Sequence, residues 1–420
     1  MELLRFTTAG SINDGKSTLI GRLLYNTSSI KQDILESLSV PGDDNAMNLA
    51  FLTDGLRSER EQGITIDVAY KYFSTAHREY IISDAPGHFQ YTGNLVSGAS
   101  NVDLMIILID ARNGITDQTK RHSQVASFLK VPAVIIAVNK MDRVGYDEGL
   151  FTRLQDEYLS VSTKLKLPDI QFIPISALVG DNISAPSEKM PWYTGKTLLE
   201  CLETLVILND DTTSLRLSIQ CSIGLVYLGK LLAGKIMLGD TIMINPGGRL
   251  STVEKITHNF KEVKEAQAGQ NISLSLTNDM KARRGDIISH SHDSPVCNTN
   301  FTTELCWLDP TTPLETGKEY FLKMHSMEIK CRITAIEYKI NNDTYEKNNF
   351  EGKVLVNDFA SVNILVKRAM AYDLFTSRKT TGRGILIDEE TNKTSGAFVI
   401  TGTPGQYDYA NLEMIGQKKQ

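Results

Sequence analysis

One octapeptide limits what this chain can become more than any other feature. Gly10-Ser11-Ile12-Asn13-Asp14-Gly15-Lys16-Ser17 follows a strand-like run, Leu3–Thr8, and opens a helical one, Ser17–Leu24, with Leu19, Ile20, Leu23 and Leu24 on one face. The pattern G-x-x-x-x-G-K-[ST] between a strand and a helix is a phosphate-binding loop. Its glycines let backbone N–H groups close around phosphate oxygens, and the positive end of the helix adds to the attraction. Lys16 is expected at the β- and γ-phosphates as a catalytic cation, and the Ser17 hydroxyl on Mg²⁺. Gly195-Lys196-Thr197 resembles the end of the motif, but Met190 stands where its leading glycine belongs. It reads as an ordinary helix start.

The surrounding pattern agrees with such a loop. Strands are predicted at Tyr80–Ser83, Leu104–Ile109, Ala133–Val138 and Phe172–Ile175, with helical periodicity between them. The runs at 105–109 and 134–138 are apolar without alternation, as in strands buried on both faces. Leu198 to Leu208 reads as a closing helix. Residues 1–208 therefore read as an α/β P-loop nucleotide-binding domain with a mostly parallel sheet. Asn209 to Ser214 is a polar linker. Beyond it, short strands (Leu215–Ser222, Ile242–Asn245, Thr252–His258, Asn271–Leu276) alternate with Gly- and Pro-containing turns, the rhythm of a small β-barrel. A second set follows: Glu319–Met324, Lys330–Lys339, Lys353–Val356, Ser361–Val366 and Ala397–Thr401. We expect a β-barrel domain II over 215–296 and a β-barrel domain III over 302–412, with the boundary near 296–302.

Composition then narrows the setting. With 41% hydrophobic and 22% charged residues, the chain has the makeup of a globular protein, not of a disordered one. No run reaches about 18 apolar residues, so no membrane-spanning helix is expected. The net charge of −6 gives no bulk basic character for nucleic acid. Cys201, Cys221, Cys297, Cys306 and Cys331 form no C-x-x-C pair, which fits a reducing compartment. Residues 1–8 lack the layout of a secretion signal. A cytoplasmic location is expected.

The base specificity lies downstream of the phosphate loop. Asn139-Lys140-Met141-Asp142 follows the strand 133–138, at the carboxyl end where open α/β sheets bind ligands. An Asp142 carboxylate can accept from the N1–H and 2-amino group of guanine, whereas adenine has no N1–H. Ser176-Ala177-Leu178, after the strand 172–175, offers backbone donors for the 6-oxo group. The expected ligand is GTP. Asp84-Ala85-Pro86-Gly87-His88 follows another strand. Asp84 is placed to hold a Mg²⁺-bound water, and the Gly87 N–H to meet the γ-phosphate. Thr65 offers a second hydroxyl for the metal. Loops held through γ-phosphate and metal relax when that phosphate leaves, which makes a switch. His88, next to Gly87, is the candidate to orient the attacking water. The remaining histidines read as surface or core residues, and His290 with His292 lacks a partner carboxylate for a metal site.

At this point the residues are familiar. The five elements in this order, with two barrels behind them, resemble the translation-factor class of GTPases. Within that class, Gly10–Tyr25, Asp54–Tyr70, Gly98–Arg112 and Gly384–Ala397 resemble the large, GTP-hydrolysing subunit of bacterial heterodimeric sulfate adenylyltransferases. The resemblance covers nearly the whole chain. It implies that GTP hydrolysis drives formation of adenosine 5'-phosphosulfate from ATP and sulfate by a small catalytic partner subunit, the first step of sulfate assimilation. It also implies that His88 is flanked by Ile12 and Ile64. Ala85, Phe89, Gly93 and Asn13 depart from the usual residues of that subunit, and the Cys221–Leu231 region is shorter. The alternative is an elongation factor carrying aminoacyl-tRNA, against which Asp14 and the Asp54–Gln62 stretch speak. A self-sufficient adenylyltransferase would need a second nucleotide loop, and none is present in the sequence.

Overall fold

The computed structural model describes residues 2–30, 39–40, 43–47, 49, 67–168, 170–207, 214–349 and 352–403. Thr65, Ile64 and residues 209–213 lie outside them. The chain forms two compact units: Met1–Leu208 with Asn342–Tyr345, and the remainder.

The first unit is a six-stranded sheet in the order β2-β3-β1-β4-β5-β6. Its strands are β1 (Glu2–Ala9), β2 (Ala69–Ser74), β3 (Arg78–Asp84), β4 (Leu104–Asp110), β5 (Ala133–Asn139) and β6 (Ile170–Pro174). Only β2 runs antiparallel to its neighbour. Every residue of β4 is buried, as its unalternating sequence requires of a central parallel strand. The helices are α1 (Lys16–Asn26), α2 (Thr92–Ala99), α3 (Asp117–Phe128), α4 (Glu148–Leu165) and α5 (Leu198–Thr204). Leu4, Phe6, Leu19, Ile20, Leu23, Ile106 and Leu108 join one core between sheet and helices. The register brings Thr8 level with Asp84, and Asp110 level with Asn139. The chemistry-bearing residues therefore gather at the carboxyl ends of β1, β3, β4 and β5.

One expectation needs correction here, and one strand is added. The closing helix stops at Thr204, not Leu208. The Arg78 guanidinium donates to the carbonyls of Leu202 and Leu205 at 3.0 and 2.8 Å, satisfying the helix end and turning the chain away. Ala69–Ser74 is an additional edge strand whose one fully buried residue is Phe73. The Gly195-Lys196-Thr197 run is a helix start, as read: Thr197 and Glu200 form a reciprocal capping box on α5.

The second unit contains two closed six-stranded barrels. The first comprises β7 (Arg216–Ile223), β8 (Val226–Ala233), β9 (Thr241–Asn245), β10 (Arg249–His258), β11 (Asn271–Leu276) and β12 (Ile287–His290). They run in the order β9-β12-β7-β8-β11-β10, closed by pairing of β9 with β10. The second comprises β13 (Val296–Trp307), β14 (Glu319–Met324), β15 (Met327–Ile340), β16 (Phe359–Tyr372), β17 (Arg383–Asp388) and β18 (Thr394–Gly402). Here the order is β14-β17-β18-β13-β16-β15, closed through β14 and β15. Each barrel fills its interior with its own cluster, around Tyr227 and Leu274 in one and Trp307 and Phe301 in the other.

The expected boundary near 296–302 falls inside β13, whose first residues already pair with Tyr372 and Ala371 of the second barrel. Lys353–Val356 is not a strand. Only Val354 is buried, and it makes a single bridge to Leu314. His290 Nε2 lies 3.5 Å from Oδ2 of Asp240, a carboxylate distant in sequence, and its ring stacks on His292. No group of three metal-ligating side chains occurs among the described residues. No described helix is long and apolar enough to cross a membrane.

Candidate functional site

The loop 10–17 closes on itself around Lys16. The ammonium is buried and donates to the carbonyls of Gly10 and Ser11, both at 2.9 Å. Burial lowers its pKa, while Asp84 and Asp14 pull the other way. Asp14 is itself buried, and its carboxylate accepts the Ser11 N–H at 2.5 Å. Burial raises the Asp14 pKa against the opposing charge of Lys16. Ile12 and Asn13 face outward, and Ser17 is half-buried in the first turn of α1.

Asp84, Ala85, Pro86 and Gly87 are buried beside this loop. A Cβ on Gly87 would overlap Lys16 Nζ and the Gly10 carbonyl oxygen, so only glycine lets this backbone lie against the ammonium. Thr8 Oγ1 donates to Asp84 Oδ1 at 3.4 Å. His88 is half-buried. Its Nδ1 accepts the Gln90 N–H at 3.2 Å and caps the short helix Phe89–Tyr91. Phe89 lies under the Arg121 guanidinium, 4.4 Å from ring centroid to carbon.

The base-motif residues tie the two halves of the site together. Asn139 is buried; its Nδ2 donates to the Asp14 carbonyl at 2.7 Å and its Oδ1 accepts the Ala177 N–H at 2.9 Å. Gly15, at φ 97°, passes so close that a Cβ would collide with the Asn139 amide nitrogen. Lys140 lies over the phosphate loop, donating to the Asn13 carbonyl and, at 2.9 Å, to Asp110 Oδ2. Burial pushes the Asp110 carboxyl up, but hydrogen bonds from Arg112 and Lys140 outweigh it and bring it to about 2. Ser176 Oγ donates to Asp142 Oδ1 at 2.6 Å, which fixes the carboxylate. Met141 is fully buried and its N–H donates to the Ile175 carbonyl, so its side chain belongs to the core.

Three residues that the motifs do not name hold this arrangement. Arg22 on α1 donates to the Ala177 carbonyl at 3.1 Å and to the Leu178 carbonyl. Asp110 anchors Lys140. His122 on α3, one of the histidines read as surface or core, is fully buried and accepts the Gly10 N–H on Nδ1 at 2.9 Å. None was legible in the sequence, because each acts on a loop far along the chain.

Comparison with known proteins agrees with this geometry. Residues 1–209 match the family described as elongation factor Tu GTP binding domain, and residues 300–401 the GTP-eEF1A C-terminal domain-like family. The chain is 42% identical over 409 residues to sulfate adenylyltransferase subunit 1 of Francisella tularensis subsp. novicida (strain U112), covering 95% of this chain and 87% of that one. It is 42% identical to the protein of the same name from Laribacter hongkongensis (strain HLHK9), over 95% of this chain and 85% of its relative. The corresponding protein of Cellvibrio japonicus (strain Ueda107) is 39% identical, over 98% and 91%. With a GTPase domain, two closed barrels and this degree of identity along almost its whole length, the chain belongs to the sulfate adenylyltransferase subunit 1 family.

Proposed function

We propose that this chain hydrolyses GTP and uses it to promote formation of adenosine 5'-phosphosulfate from ATP and sulfate on a small catalytic partner subunit, in the cytoplasm. The observation that carries the nucleotide reading is the pair of links made by the 176–177 turn: Ser176 Oγ donates to the Asp142 carboxylate, and the Ala177 N–H to Asn139, whose amide donates to the Asp14 carbonyl of the phosphate loop. The subunit name of its relatives supports the partner.

In this reading the amides of residues 13–17 and Lys16 hold the phosphates, and the Gly87 N–H meets the γ-phosphate. Asp142 accepts from the guanine N1–H and 2-amino group, while backbone donors of Ser176–Leu178 serve the 6-oxo oxygen. His88 orients the attacking water. Its Nδ1 is engaged by Gln90, which leaves Nε2 to face the water. The hydroxyl of Ser17 and the buried carboxylate of Asp84, with Thr65 from outside the described residues, are hard oxygen donors that suit Mg²⁺. Bound there, the ion would neutralise charge on the β- and γ-phosphate oxygens.

The test mixes the purified chain with the small subunit and measures GTP hydrolysis and adenylylsulfate together. GTP should raise adenylylsulfate yield, the partner should raise GTP hydrolysis, and Lys16→Ala should abolish both effects. A formed complex whose adenylylsulfate yield ignores GTP would overturn the coupling. An elongation factor, by contrast, would retain aminoacyl-tRNA on a filter.

A further inference from the structure

We propose that His122 is a positioning residue for the phosphate loop, holding Gly10 in place through a neutral ring; the proposal rests on the GTP reading above. His122 sits in the middle of α3 with no exposed surface. Its Nδ1 lies 2.9 Å from the Gly10 nitrogen. A backbone N–H can only donate, so Nδ1 carries no proton and the ring's hydrogen is on Nε2. The side-chain amide of Gln118, one turn earlier, presents its nitrogen 2.9 Å from Nε2. Turned with its oxygen toward the ring, it accepts that hydrogen and fixes the tautomer.

The consequence runs through Gly10. Its N–H is held by His122 and its carbonyl oxygen by Lys16. A rotation of the preceding peptide would therefore move the residue whose oxygen seats the ammonium. A second tether lies beside the first: Ser11 Oγ and Thr116 Oγ1, the N-cap of α3, are 2.7 Å apart. Helix α3 thus fixes both residues at which the loop leaves β1. A histidine present only for packing would need neither a defined acceptor nor a defined tautomer.

Two substitutions separate these roles. His122→Asn keeps an acceptor near the position of Nδ1, whereas His122→Leu keeps apolar bulk and orphans the Gly10 N–H. The Leu variant should bind GTP and GDP roughly 10-fold more weakly, in the range for one orphaned buried amide. The Asn variant should stay within about threefold of the parent. In the Leu variant KM for GTP should rise more than kcat falls, and competition by guanosine, which probes the base end alone, should not change. Equal binding by all three proteins, or equal loss in both variants, would overturn the proposal. Hydrogen exchange at the Gly10 amide reads the bond without nucleotide: slow in the parent and the Asn variant, fast in the Leu variant. If the parent bound no GTP but kept this exchange pattern, the nucleotide reading would fail and the bond would stand; fast exchange in the parent would sink the bond itself.

Discussion

At the scale of single residues, His88 has two separable duties. It caps the turn 89–91 through Nδ1, and in the proposed mechanism it orients water. His88→Asn retains a good capping side chain, so it should fold and bind GTP like the parent while turnover falls by roughly 10²–10⁴, the scale of one positioned catalytic group. Single-turnover hydrolysis beside nucleotide binding would check this, and near-parental turnover would reduce His88 to a cap. Asp142→Asn should turn base preference from guanine toward xanthine. The amide gains the 2-oxo group and loses the two-donor pairing, an exchange of about 1–3 kcal/mol. Comparing GTP with XTP hydrolysis decides it. The motif residues were legible because their chemistry depends on type and spacing alone. Met141 shows the limit of such reading: its position inside N-K-x-D says nothing of its side chain's direction, which is into the core.

At the scale of elements, long runs were readable and their ends were not. The buried strands β4 and β5 announced themselves by unbroken apolar sequence. Helix α5 was read too long because its stop is imposed by Arg78, over a hundred residues upstream. The edge strand β2 carries too little buried surface to stand out, and Lys353–Val356 imitates a strand's composition while Val354 alone packs inward. Helix α3 has more consequence than its periodicity suggests. It holds the phosphate loop through His122 and Thr116, and it meets the turn after Gly87 where Arg121 covers Phe89. Phe89 is one of the departures from the usual subunit, so this stack is a local contact between α3 and the turn that follows Gly87. Phe89→Gln should remove a cation–π interaction of about 0.5–1 kcal/mol and speed amide exchange across residues 88–92 by roughly two- to fivefold. Unchanged exchange would mean that the stack does not restrain the turn.

For the whole molecule, the two barrels share an ionic cluster that their separate sequence patterns did not foretell. Arg216 of β7 donates to both oxygens of Asp373, just past β16, each at 2.9 Å. It also reaches the Asp293 carbonyl at 2.8 Å, and Thr381 donates to Asp373 at 2.6 Å. Both charged partners are buried. Arg216→Met would leave Asp373 without its principal counter-ion and should cost about 3–5 kcal/mol, read as a drop in the urea midpoint. Pairing it with Asp373→Leu should recover much of that loss; a single variant as stable as the parent would show that the cluster contributes no net stability. The closure of each barrel carries a different lesson. Six strands of each sheet close into a ring that offers another polypeptide no free rung, and only the three-residue strands Lys261–Val263 and Lys347–Asn349 end the hydrogen-bond ladder. Recognition of these walls falls to side chains and connecting loops, whose identity can drift one position at a time. Such a scaffold can change the company it keeps by substitution alone, without loosening a single rung of its backbone.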